Sequence, residues 1–158
     1  MPDDRRITII SGGQTGADRA ALDFAIAHGI PHGGWCPKGR RAEDGSLDAR
    51  YQMRETESKD YRQRTRRNVA DSDATLILNL GELANGSLAT RHFAERVNKP
   101  VRVVALDAGD LATEAARVHE WLADNAIAVL NVAGPRESKR PGIYRNGLAF
   151  LELLHAAR

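Results

Sequence analysis

A chain of 158 residues, 28% charged and with a formal net charge of +2, has the length of one domain. So small a charge excludes wholesale wrapping of nucleic acid while leaving room for a local basic site. One cysteine, Cys36, excludes an internal disulfide and a cysteine-rich metal site.

No apolar run approaches the ~20 residues that span a bilayer. Met1-Pro2-Asp3-Asp4-Arg5-Arg6 leads directly into apolar sequence rather than a signal peptide. The expectation is a cytoplasmic protein with one domain over 1–158.

Ile7–Ile10 reads as a short buried strand. Ser11-Gly12-Gly13-Gln14-Thr15-Gly16 is then a glycine-rich turn into a helix over Gly16–His28, with Ala17, Ala20, Ala21, Phe24 and Ala25 at helical spacing. Glycines between a strand and a helix leave backbone N–H groups at the positive helix end, which is anion-site chemistry. Gly12, Gly13, Gln14, Thr15 and Gly16 are therefore candidate phosphate contacts. A side chain at Gly13 is expected to block phosphate while leaving the fold. Asp18 has two readings, contact with a ribose or amine group and stabilisation of the helix dipole. Arg19 reads equally as ligand contact or surface. The turn lacks the Gly-Lys-Ser/Thr ending that a P-loop needs.

Gly29-Ile30-Pro31 stops the helix, and His32–Cys36 reads as the second strand. Pro37–Glu57 is irregular, polar and long enough to suggest a lid. Lys38 and Arg40 in it are candidates to screen an anionic ligand. Ser58 is placed as N-cap of a helix to Ala70, whose Arg62, Arg64, Arg66 and Arg67 point in different directions and read as a solvated or subunit-facing surface.

Ala74–Leu80 has the near-continuous apolar character of a buried parallel strand. A helix over Ser87–Val97 follows, then a strand at Val101–Leu106. Asp110 caps a helix to Asn125 with Val118, Trp121 and Leu122 inward. Ile127–Val132 is a fifth strand, and Pro141 opens a last helix to Ala156.

Five strands alternating with helices predict an α/β fold: a Rossmann-like three-layer α/β/α sandwich around a five-stranded doubly wound parallel sheet. The order 2-1-3-4-5 puts a switch point between strands one and three, where ligands bind beyond the carboxyl ends. Gly86, Ser87 and Thr90, at the start of the helix after strand three, become the second half of a two-helix anion site. The histidines form no metal-binding pattern, and no catalytic residue stands out.

Four motifs carry a resemblance to a known family: Ser11–Asp23, Gly33–Gly45, Asn68–Thr75 and Asn131–Ser138. Together they resemble the putative molybdenum carrier family, of the Rossmann-like superfamily that also holds the Lonely-guy-type phosphoribohydrolases and the DNA-processing DprA proteins. The resemblance implies a Rossmann-like fold, homo-oligomeric assembly as dimer or tetramer, and a pocket for a phosphorylated small molecule. The family name points to molybdenum cofactor (molybdopterin), with a nucleotide as the alternative.

Two departures matter. Ala84-Asn85-Gly86-Ser87 stands where relatives often carry Thr-Gly-Gly-Thr, and Thr90 falls where the phosphoribohydrolases carry a glutamate. A threonine cannot supply a catalytic carboxylate, which favours holding a ligand over cutting it. Glu43 is the candidate substitute that keeps N-glycosidic or phosphate-bond hydrolysis open as the alternative. A single-stranded nucleic-acid binder is disfavoured by 5% aromatic content and the lack of a clustered basic face.

Overall fold

The structure, a computed structural model, describes residues 7–157. The reading of residues 1–6 as leaderless lies outside the described residues. In chain order the elements are β1 (Thr8–Ile10), α1 (Ala17–Ala27), β2 (His32–Gly33), β3 (Trp35–Cys36), β4 (Arg41–Ala42), β5 (Gly45–Ser46), β6 (Arg54–Glu55), α2 (Tyr61–Asp71), β7 (Ala74–Asn79), α3 (Asn85–Arg96), β8 (Val101–Ala105), α4 (Leu111–Asp124), β9 (Val129–Ala133) and α5 (Ile143–Ala156).

β2, β1, β9, β7 and β8 form one five-stranded sheet in that order, every neighbouring pair parallel. The sheet and its flanking helices match the expected class. The strand order does not: the last strand lies between β1 and β7, where 2-1-3-4-5 would put them side by side.

Specific bonds hold β9 there. The Asp73 carboxylate accepts from Ala128 N and Val129 N at 2.9 and 2.8 Å, and Asp73 N donates to Val129 O at 2.8 Å. Inside the sheet, Asn131 Nδ2 donates to Thr75 Oγ1 at 3.2 Å. Counted from β9 the same sheet reads 3-2-1-4-5, the Rossmann order, so its switch point is the crevice between β9 and β7.

Alternation along the strands sorts the two faces. Leu76, Leu78, Leu130 and Val132 join Ala17, Ala21 and Phe24 of α1, Val118 and Leu122 of α4, and Ile143, Phe150 and Leu151 of α5 in the main core. Trp121 packs at its margin, as expected. Full burial of each large side chain contributes about 1.5–3 kcal/mol. α2 and α3 cover the other face with a more polar interior: Arg64, Asn68, Thr75, Asn79, Ser87, Thr90 and Asn131 are all buried.

The segment read as a single second strand divides at Gly34. β2 belongs to the main sheet, whereas β3 pairs with β6. The Asn68 side chain fixes β3 by accepting from Trp35 N at 2.8 Å and donating to Trp35 O at 3.0 Å. The stretch 37–57 is not irregular throughout. It carries the β4–β5 hairpin and β6, with Leu47 and Tyr51 buried against Leu22, Cys36 and Ala42.

The helix caps shift too. Asp60, not Ser58, caps α2 by accepting from Arg62 N at 2.9 Å, while Ser58 Oγ accepts from Asp60 N. α5 begins after Gly142 rather than at Pro141; Glu137 accepts from Gly142 N at 2.6 Å and Tyr144 N at 2.9 Å there.

Candidate functional site

The loops at the carboxyl ends of β1, β9 and β7 lie side by side. The first, expected to be an open cradle, is filled by the chain itself. A Cβ on Gly12 would stand 1.8 Å from Arg64 Nη1, and one on Gly13 would stand 2.6 Å from Leu47 Cδ1. On Gly16 it would stand 2.5 Å from Pro135 O and 2.8 Å from Glu137 N. Ala17 N, at the start of α1, donates to Pro135 O at 3.3 Å. These glycines are thus explained by close packing of protein on protein. Gly13 has φ +78, so a valine there strains the backbone and is not a clean probe of ligand binding, contrary to expectation.

Arg64 reaches under this loop to Asp18. Its Nη1 donates to Asp18 Oδ2 at 3.1 Å, and Gln14 N donates to the same oxygen at 3.2 Å. Both side chains are buried, which corrects the solvated reading of Arg64, whereas Asp18 stands in the first turn of α1, as its helix-dipole reading expects. Burial pushes the Asp18 carboxyl up to about 6, against the pull of Arg64, the Gln14 N–H and Arg19. Ser11 Oγ ties the turn to the helix by donating to Asp18 O at 3.0 Å and accepting from Gly13 N at 3.3 Å.

Thr15 faces the β4–β5 hairpin. Its hydroxyl donates to the Glu43 carboxylate, which also accepts from Ser138 N at 3.2 Å and Ser138 Oγ at 2.5 Å. Gln14 Oε1 accepts from Thr15 N at 3.0 Å and Glu43 N at 2.8 Å. Burial opposes ionisation of Glu43, but the Ser138 and Thr15 bonds and the Arg136 charge hold its carboxyl below the ordinary value.

Arg19 donates to Gly13 O and pairs with Asp44 through two bonds of 3.0 and 3.1 Å. Arg40 is spent on the carbonyls of Leu47, Asp48 and Tyr51, so it braces the 37–57 segment. Lys38 is exposed on the same segment.

The start of α3 is different. Asn85 takes φ +50, no side chain caps the first turn, and a Cβ on Gly86 would meet nothing within 4 Å. Ser87 is buried, and its hydroxyl has no partner among the described residues. Thr90 Oγ1 donates to Gly86 O at 2.8 Å, which occupies the hydroxyl expected to face ligand. Arg140 bridges from the β9 loop to this side, donating to Leu80 O at 2.8 Å and Glu82 O at 3.1 Å.

The sequence matches the family described as Circularly permutated YpsA SLOG over residues 9–155. The chain belongs to that family. Among proteins of curated function none matches it. It is similar to a solved structure named "Putative molybdenum carrier protein" from Syntrophus aciditrophicus SB, with 50% identity, a TM-score of 0.92, and coverage of 95% of this chain and 96% of that one. A circular permutation accounts for the strand order: it moves the chain ends while the spatial order of a Rossmann sheet is kept.

In this permuted family member, the first βα turn of the Rossmann count is the loop after β9. Sequence reasoning placed Gly134-Pro135-Arg136-Glu137-Ser138 on the ligand side of the sheet without naming any of its residues as a contact. Its position at the carboxyl end of a strand was the available signal. The cluster on Asp23 was also missed. Tyr51 Oη, Tyr144 Oη and Arg50 donate to its carboxylate at 2.6, 2.5 and 3.2 Å beside a cleft of about 480 Å³ between α1 and α5. Burial and the Asp23 carboxylate push the Tyr144 phenol up to about 12, so it stays a donor at neutral pH. Among the described residues, no group of three or more His, Cys, Asp or Glu could hold a metal ion, and no helix is long and apolar enough to cross a membrane.

Proposed function

We propose that the protein carries a phosphorylated pterin of the molybdenum-cofactor kind, bound in the crevice between β9 and β7. The observation that supports this most is the uncapped start of α3. Its free backbone N–H groups and the unpartnered Ser87 hydroxyl form a donor set suited to a terminal phosphate. The open space beside Gly86 lets an oxyanion approach the backbone. Gly134–Ser138 makes the opposite wall. The name of the similar protein from Syntrophus aciditrophicus SB speaks of molybdenum, which supports a ligand of the molybdenum-cofactor kind. A nucleotide offers the same phosphate to the same donors. Of the residues expected to bind ligand, Gly86 and Ser87 keep that role in this reading, whereas Gly12, Gly13, Gly16, Asp18, Arg40 and Thr90 hold the scaffold.

Elemental analysis for molybdenum and pterin fluorescence on the purified protein test the ligand class. Ser87→Val is expected to weaken binding of a phosphorylated pterin about tenfold to a hundredfold, the loss of a hydrogen bond to a charged group. The melting temperature should stay close to that of the parent. Unchanged affinity in Ser87→Val would move the phosphate elsewhere. Release of free base from nucleoside monophosphates would instead establish the hydrolytic alternative. We place the protein in the cytoplasm as a homo-oligomer. Exposed Ile26 and Leu153 on the neighbouring helices α1 and α5 support self-association, which sedimentation measures directly.

A further inference from the structure

We propose that Thr15, Arg136 and Ser138 form a second oxyanion subsite that Glu43 fills from its own chain, and that a phosphate-type oxyanion binds there by displacing Glu43 and unlatching the β4–β5 hairpin. The inference deepens the reading above, because it gives a further anionic group of the bound molecule its place.

The donors come from two loops that the fold brings together. Thr15 Oγ stands in the loop after β1; Ser138 N, Ser138 Oγ and Arg136 Nε stand in the loop after β9. The first three reach the Glu43 carboxylate. The fourth does not. Arg136 Nε forms an ion pair with Glu43 Oε1 at 3.7 Å, beyond hydrogen-bond distance; this nitrogen is buried with no hydrogen-bond partner, although the side chain as a whole is 40% exposed.

A shielded N–H without an acceptor is costly even at the edge of a half-exposed side chain. Glu43 Oε1, held by Ser138 Oγ, stops 3.7 Å short and leaves this donor unmet. A tetrahedral oxyanion brings a third oxygen and a larger charge to the same point. The cradle therefore has one more donor than Glu43 satisfies where it sits.

Glu43 is placed to leave. With Asp44 it forms the two-residue turn joining Ala42 to Gly45, and both turn residues are exposed. The hairpin base is anchored by buried Ala42 and Leu47, so the tip can swing without opening the core. The restraints at the tip are the bond from Glu43 N to Gln14 Oε1 and the Arg19–Asp44 pair. A carboxylate and a phosphate cannot share one set of donors, because like charges at contact repel. Ligand affinity is thus reduced by the fraction of time the latch is closed.

Glu43→Gln tests this, since it keeps the size of the side chain, removes the charge and, with the amide oxygen on Ser138 N, sets the NH2 against Arg136 Nε. Calorimetry with inorganic phosphate should show affinity at least tenfold higher in E43Q than in the parent. Trypsin cleavage after exposed Arg41 should speed up in E43Q without phosphate, and in the parent on adding it. Ser138→Ala should weaken phosphate binding in the E43Q background. AMP binding more tightly than inorganic phosphate identifies a monoester as the occupant, and equal affinities identify the free anion; both support an oxyanion subsite.

Equal or lower phosphate affinity in E43Q overturns the proposal, as does cleavage at Arg41 that ignores phosphate. If that happens while a phosphorylated pterin still binds in a Ser87-dependent way, the latch fails and the carrier reading stands. If phosphate unlatches the parent while no pterin binds, the carrier reading fails and the subsite stands.

Discussion

Arg64→Met is expected to cost about 3–5 kcal/mol of folding stability at pH 7, the usual penalty for stranding one partner of a buried ion pair. That is a large share of the 5–15 kcal/mol that holds most domains folded. The stranded group is Asp18, which keeps the Gln14 N–H and loses its strongest opposing charge. The cost should depend on pH. Asp18 titrates near 6 in the folded protein against an ordinary 3.8. A carboxyl whose folded value is raised stabilises the fold below about 3.8 and loses that contribution as pH rises through 6. In the parent the loss amounts to about 3 kcal/mol between those values. Without Arg64 the folded value climbs further and the window extends toward neutrality. Urea unfolding at pH 5, where Asp18 is mostly protonated, should therefore show a markedly smaller loss than at pH 7. An equal loss at both, or one below about 1 kcal/mol, would mean that Arg64 packs against Gly12 without supporting the Asp18 charge. Removing both charges together, as in Asp18→Asn with Arg64→Met, should cost less than either change predicts by addition, because no buried charge is left unmatched.

The same pair shows where sequence reasoning stops. Local periodicity reveals the elements: Ala74–Asn79 is all buried, and Ala17 to Ala25 carry the helical stripe that packs on the sheet. Partnership between distant segments leaves no local mark. Nothing in Arg62 to Arg67 distinguishes the arginine that turns inward to a carboxylate 46 positions away from its solvated neighbours. The strand order escaped for the same reason. The bonds from Ala128 N and Val129 N to the Asp73 carboxylate, which help seat β9, cross 55 and 56 positions. With β9 inserted beside β1, the site moves with it. Glycine spacing correctly marked the β1 loop as a place where something approaches the backbone, but the approaching groups are Arg64, Leu47 and Pro135. The proposed anion contacts become Gly86, Ser87 and Thr15, which were expected, with Arg136 and Ser138, which were not.

Gly16→Ala is expected to cost about 3 kcal/mol or more, and Gly29→Ala only about 1–2 kcal/mol, although both glycines have positive φ. Gly29 follows the end of α1, and a Cβ there would meet nothing within 4 Å, so its cost is the conformational preference alone. Gly16 has φ 82 and ψ −129, a region that side chains other than glycine's enter at about 1–3 kcal/mol. Its Cβ would also press on Pro135 O, Glu137 N and Ile143 Cγ2 within 3 Å. The first two are backbone atoms of the loop after β9 and cannot rotate away, so overpacking adds about 1–3 kcal/mol. Relief can come only by moving that loop off the β1 turn. This carries Ser138 away from Thr15 and widens the crevice wall, so Gly16→Ala should weaken phosphate binding as well as the fold, whereas Gly29→Ala should leave binding alone. Urea unfolding and phosphate calorimetry on the two variants measure both effects. Similar stability losses in the pair would show that the β9 loop yields to the methyl group. Intact phosphate affinity in Gly16→Ala would show that the contact between the two loops does not shape the site.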